Sequence, residues 1–177
     1  AFYAQSGGVT SVINASASAV IIESKKYPEI GKVYAGKNGI LGALREELID
    51  TSKETKRFIE DLKFRPGGAF GSCRYKLKGI DENLKEYQRL IEVFKAHNIG
   101  YFFYNGGNDS ADTALKVSQI SNKLNYPLQC IAIPKTVDND IYPIVQTLGA
   151  WTAAEQGAIF FENIANENTT SSRQLII

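Results

Sequence analysis

Apolar runs and glycine breaks alternate along the chain in a way that suits strands followed by helices. Residues 1–5 form an apolar strand closed by Ser6-Gly7-Gly8. Residues 9–27 mix small and β-branched side chains and end in Lys25 and Lys26, the pattern of a helix lying on a sheet. A short strand is predicted over 32–35, closed by Gly36-Lys37-Asn38-Gly39, then a polar helix over 51–62 that the glycine-rich run 66–71 breaks. From Asp81, a candidate N-cap, Leu84, Tyr87, Ile91 and Phe94 recur at helical spacing, with Gly100 just past the end. The aromatic run Tyr101-Phe102-Phe103-Tyr104 has no polar alternation and reads as a strand covered on both faces. A helix over 110–124 follows, with Ala111, Ala114, Leu115 and Ile120 facing inward. Then come a strand over 129–133 stopped at Pro134, a helix over 152–165 and a strand-like stretch over 174–177.

This βαβαβ alternation predicts the α/β class: a doubly wound, mostly parallel sheet with helices on both faces, Rossmann-like. The length of 177 residues allows one such core, since domains run to roughly 100–200 residues. Residues 1–177 are therefore expected to form a single α/β domain. The chain opens within a strand and stops in an apolar one, so it is expected to be a fragment of a longer protein.

Composition narrows the partners. Lys plus Arg number 20 against 19 for Asp plus Glu, which leaves no basic excess to grip a phosphate backbone, so no nucleic acid is expected. No apolar run approaches the roughly 18 residues of a membrane span, so no membrane partner is expected. Two cysteines, Cys73 and Cys130, and the single His97 cannot build a nitrogen–sulfur metal site. Any metal should be a hard, oxygen-bound ion such as Mg²⁺. A reducing cytoplasm is the expected compartment.

In an open parallel sheet, ligands bind where the loops leave the carboxyl ends of the strands. Gln5-Ser6-Gly7-Gly8-Val9-Thr10 places a glycine pair before a helix, where backbone N–H groups can meet an anion. Gly106-Gly107-Asn108-Asp109-Ser110 repeats that arrangement and adds Asn108 and Asp109 as oxygen donors for a hydrated Mg²⁺. Its plainer alternative is a turn with Asp109 or Ser110 as N-cap. In Pro134-Lys135-Thr136-Val137-Asp138-Asn139-Asp140, two carboxylates stand beside a lysine and a threonine, a costly grouping at a strand end unless something binds there. Asp138 could accept a proton from an attacking hydroxyl, Asp140 could help hold a metal and Lys135 could neutralise phosphate oxygens. Arg74, after Gly71-Ser72-Cys73, could reach a phosphate bidentately, although a solvated arginine is the commoner case. His97 reads as a helix-end charge or a solvated side chain, both cysteines as structural, and Trp151, Phe160 and Phe161 as core or interface.

Taken together, Ser6-Gly7-Gly8 with Asn14, the 71–74 segment, the 106–110 loop, the 134–140 loop and Thr147-Leu148-Gly149-Ala150-Trp151-Thr152-Ala153 resemble the 6-phosphofructokinases in order and spacing. The resemblance spans almost the whole chain. It implies the N-terminal part of that family's fold, a phosphoryl-donor-binding domain whose sugar-phosphate-binding second half is absent here, so that the fragment alone should be inactive. In ATP-dependent members glycines stand at the positions of Asp109 and Lys135; a carboxylate and a lysine there imply pyrophosphate as donor. The implied reaction is phosphoryl transfer from pyrophosphate to the 1-hydroxyl of fructose 6-phosphate. The resemblance makes Asp138 the catalytic base, with Lys135 and Arg74 as catalytic cations, and gives Gly8, Asn108, Asp109, Ser110, Thr136 and Asp140 to substrate and donor. Asn108 departs from the family's usual aspartate, which puts Mg²⁺ on Asp109 or Asp140. A cytoplasmic homodimer or homotetramer is implied. The rival readings are an ATP-dependent enzyme of the same fold and a non-catalytic subunit that binds a sugar phosphate.

Overall fold

A computed structural model describes residues 1–172 apart from Ser11. Strand β1 (Phe2–Ser6) is entirely buried at the centre of the sheet. It pairs in parallel with β2 (Tyr34–Gly36) on one side and with β5 (Tyr101–Gly106) on the other. Beyond these lie β3 (Leu48–Asp50), antiparallel to β2, and β6 (Gln129–Pro134), parallel to β5. The two-residue β4 (Ser72–Cys73) pairs with the end of β1, Gln5 to Ser72 and Ser6 to Cys73. The order β3-β2-β1-β5-β6 is that of a doubly wound sheet. The chain winds one way from β1 to β2 and the other way from β5 to β6, so the crevice between β1 and β5 is a topological switch point.

Alternation along the strands divides the core into two layers. Phe2, Ala4, Phe102 and Tyr104 point to one face, where α2 (Ile40–Leu44), α4 (Leu84–Ala96) and α5 (Asn108–Lys123) cover them. Phe2, Phe94 and Phe102 pack there with ring centroids 5.3–5.7 Å apart. Tyr3 points to the other face, against α1 (Ile13–Ser24) and α3 (Lys56–Asp61). Helices on both faces agree with the sequence reading.

Several boundaries differ from expectation, each for a local reason. The helix expected over 9–27 spans only Ile13–Ser24, because the glycine turn runs on into residues 7–10. The helix expected over 51–62 is interrupted: Asp50 caps a 3₁₀ turn (Thr51–Lys53), and Thr55 then caps α3 by accepting from the Phe58 N–H at 3.2 Å. Asp81 lies in a turn and Asn83 occupies the N-cap of α4. Leu84 and Leu115, expected to face inward, are exposed, and Leu90, Val93 and Val117 fill the core in their place. α5 starts at Asn108 with Gly107 as N-cap, so neither Asp109 nor Ser110 caps it. The last helix, α6 (Ala150–Thr169), buries no residue, and Trp151, Phe160 and Phe161 on it are exposed rather than core. The strand expected over 174–177 lies outside the described residues. No helix among the described residues is long and apolar enough to cross a membrane.

Beneath the strand ends, buried amides tie the elements together. Asn14 accepts from Gln5 Nε2 at 3.1 Å and from the Ala69 N–H at 2.9 Å, and donates to the Arg65 carbonyl at 3.0 Å. Tyr3 donates to Asn105 Oδ1 at 3.0 Å, and Asn105 donates to the Ile133 carbonyl at the same distance. Removing one member leaves buried partners unsatisfied, and each such loss costs about 1–3 kcal/mol. Asn14→Ala should therefore lower stability in equilibrium urea unfolding by about 2–4 kcal/mol; a loss below about 0.5 kcal/mol would show that this network does not support the fold.

Candidate active site

Three parallel strands end at one rim. β1 stops at Ser6, β5 at Gly106 and β6 at Pro134, in a register that pairs Gln5 with Asn105 and Gly106 with Pro134. The loops that follow leave the sheet on the same side and enclose an open cleft of about 660 Å³. β4 delivers a fourth segment, because its pairing with Ser6 puts the next residue, Arg74, on that rim.

The first wall is 7–10. Gly7 has φ +77°, a left-handed conformation that an L side chain resists, and its N–H donates to the Cys73 carbonyl at 3.0 Å. A Cβ on Gly8 would stand 3.2 Å from Arg74 Nη2, so the guanidinium lies against this backbone. Arg74 forms no ion pair among the described residues.

The second wall is the start of α5, with Asn108, Asp109 and Ser110 lining the cleft. A Cβ on Gly106 would fall 2.1 Å from Ser110 Oγ, so only glycine lets this helix begin directly on the strand end. No side chain caps the helix, and its N-terminus, with unpaired N–H groups and partial positive charge, opens toward the cleft. Asp109 Oδ1 accepts from Lys76 Nζ at 2.7 Å.

The third wall is 135–140. The β5–β6 ladder continues one step beyond the strands, the Lys135 N–H donating to the Gly106 carbonyl at 2.9 Å. Lys135 is only 5% exposed, and its Nζ donates to the Gly8 carbonyl across the cleft floor. Burial first, and then the Arg74 charge, lower its pKa from the usual lysine value; Asp138 opposes them. The loop is braced from within. Asp138 N–H donates to Thr136 Oγ1 at 3.2 Å, Thr147 N–H to Asn139 Oδ1 at 2.7 Å, and Asn139 Nδ2 to the Val145 carbonyl at 3.1 Å. Asp138 and Asp140 are both exposed, and Asp140 Oδ2 accepts from Asn108 Nδ2 at 3.3 Å.

Every site residue expected from the sequence thus borders one cleft. Lys76 and Tyr75 were missed, although Lys76 stands two residues after Arg74 on the same strand-end segment. Val9 and Thr10 also line the cleft, as do Gly149 and Ala153 from the start of α6, which sequence reading included only within a motif. Oxygen donors for a hard cation are present in Asp138, Asp140 and the Asn108 amide. No group of three His, Cys, Asp or Glu side chains among the described residues could hold a metal. That donor set fits Mg²⁺, which typically takes one or two carboxylates and completes its shell with water and substrate phosphate oxygens.

Comparison with known proteins bears on the family. The pyrophosphate–fructose 6-phosphate 1-phosphotransferase of Methylococcus capsulatus is 68% identical over 142 residues, which are 80% of this chain and 34% of that protein. The protein of the same name from Xanthomonas campestris pv. campestris is 57% identical over 157 residues, 89% of this chain and 37% of the relative. The chain thus spans about a third of the length of these curated relatives. A crystal structure of pyrophosphate-dependent phosphofructokinase from Nitrosospira multiformis superposes with a TM-score of 0.76 at 64% identity, covering 81% of this chain and 35% of that one. Phosphofructokinase from Saccharomyces cerevisiae, at 18% identity, shares the fold with a TM-score of 0.75 over 97% of this chain and 24% of its own. With the Phosphofructokinase family matching residues 2–177 as well, the chain belongs to the phosphofructokinase family.

Proposed function

We propose that this chain is the donor-binding part of a pyrophosphate-dependent 6-phosphofructokinase, which transfers a phosphoryl group from pyrophosphate to the 1-hydroxyl of fructose 6-phosphate and gives fructose 1,6-bisphosphate. The observation that carries this reading is the buried Lys135 ammonium. It sits at the floor of the cleft beside Arg74, and neither cation has a carboxylate partner within salt-bridge distance among the described residues. Two cations held together without a counter-anion suit a compact polyanion. The curated relatives carry that activity in their names.

In this reading Asp138 takes the proton as the sugar 1-hydroxyl oxygen attacks the terminal phosphorus. The new P–O bond forms as the bridging P–O bond of pyrophosphate breaks, and orthophosphate leaves. Its carboxylate makes no hydrogen bond among the described residues and is available as a base. Thr136 and Asp140 contact the sugar. Arg74, Lys135, the Gly8 backbone and the α5 N-terminus hold the donor phosphates, so positioning and charge neutralisation supply most of the catalysis. Mg²⁺, when bound, would neutralise phosphate charge. Asp140, which lies beside the Asn108 amide, would hold it, since Asp109 is already paired with Lys76. The sugar 6-phosphate is gripped in the remainder of a longer protein, a cytoplasmic homodimer or homotetramer, and the reaction runs in either direction between glycolysis and gluconeogenesis.

The deciding assay supplies full-length protein with fructose 6-phosphate, Mg²⁺ and either pyrophosphate or ATP. Pyrophosphate should drive product formation; good turnover with ATP and none with pyrophosphate would overturn the donor assignment. Asp138→Asn should lower kcat by roughly 10²–10⁴-fold with little change in either KM, and undiminished turnover would remove the base role. Lys135→Gly should cut kcat/KM for pyrophosphate by roughly 100-fold while affecting ATP use far less. Equal losses with both donors would show that Lys135 does not select between them. Chelation with EDTA should abolish turnover, and added Mg²⁺ should restore it.

A further inference from the structure

Three cations border the cleft, and one of them is spoken for. Lys76 and Asp109 come from different walls, the segment after β4 and the first turn of α5, and meet at 2.7 Å. The Asp109 main chain is held independently, since its carbonyl accepts from Thr113 Oγ1 at 2.9 Å. The pair is open to solvent, with Lys76 64% and Asp109 73% exposed, so it adds little to folding stability. Its effect falls on the cleft. Asp109 is an anion at the mouth of a site proposed to receive a polyanion, and alone it would repel the donor phosphates.

We infer that Lys76 is a positioning residue that neutralises the Asp109 carboxylate and holds it against the cleft wall, so that the site keeps a carboxylate at its mouth without weakening pyrophosphate binding. This inference rests on the pyrophosphate reading above. Lys76 acts through Asp109 and does not touch the donor. The cations assigned to the donor in that reading are Arg74 and Lys135, neither of which forms an ion pair among the described residues.

The test is a double-mutant cycle on full-length protein, reading KM for pyrophosphate and kcat. Lys76→Gln should raise KM for pyrophosphate roughly three- to tenfold with kcat within about twofold, and added salt should shrink the difference. Lys76→Arg should restore KM to within about twofold of the parent. In an Asp109→Asn background, Lys76→Gln should leave KM unchanged, because no anion remains to be neutralised. An undiminished penalty in that background would mean that Lys76 contacts the donor itself, and no penalty in the parent would mean that the pair does nothing for binding; either result overturns the inference. A parent enzyme that uses ATP and not pyrophosphate overturns the donor assignment and this inference with it. A parent that uses pyrophosphate while the cycle shows no coupling overturns this inference alone.

Discussion

The parallel register of β5 and β6 is the constraint on which the site depends. Six consecutive pairs, from Tyr101 with Gln129 to Gly106 with Pro134, bring both strands to the same level, and the Lys135 N–H extends the ladder onto the Gly106 carbonyl. A strand slipped by one residue would turn every side chain to the opposite face. Lys135 would then leave the cleft floor, and the Asp138–Asp140 loop would start from the wrong place. Phe102 and Tyr104 hold the register, because their rings must reach the α4 and α5 face to be buried. Aromatic packing in the core thereby fixes the position of charged groups at the rim.

The amide network beneath the rim has a related role. Four of its members, Tyr3, Gln5, Asn14 and Asn105, are essentially inaccessible to water. They link β1, α1, β5, β6 and the loop before β4. Buried amides with directional partners accept fewer arrangements than apolar side chains of similar size. They lie just below a cleft whose floor holds a partly desolvated ammonium. Lys135 keeps its hydrogen bond to the Gly8 carbonyl there, and that bond offsets part of the cost of burying a cation.

Much of this was legible in the chain. The doubly wound α/β class and four of the strands followed from glycine-punctuated apolar runs, and the three βα loops were found because their chemistry is unusual for strand ends. What escaped was short or decided by tertiary contacts. The five-residue α2 and three-residue β3 carry too few positions for a period to appear. Leu84 and Leu115 fit a helical stripe yet point outward, since the inward direction depends on where the sheet lies. Asp109 and Ser110 looked like caps, but the missing side chain of Gly106 lets the helix begin earlier. Lys76 carries no motif of its own, and its meaning depends on Asp109, which lies 33 residues further along the chain.

The fold itself is far more tolerant than the cleft chemistry built on it. At 18% identity, yeast phosphofructokinase keeps the same fold with a TM-score of 0.75, so the sheet tolerates wide sequence change. The charged residues that line the cleft come from separate segments, among them Arg74 and Lys76 after β4, Asp109 at the start of α5 and Lys135 after β6. Each segment begins at a strand end whose height is set by pairing, so side chains from distant parts of the sequence meet without any loop needing to be rigid by itself. Exchanging a charge at one of these positions changes the field in the cleft and leaves the register that built it intact.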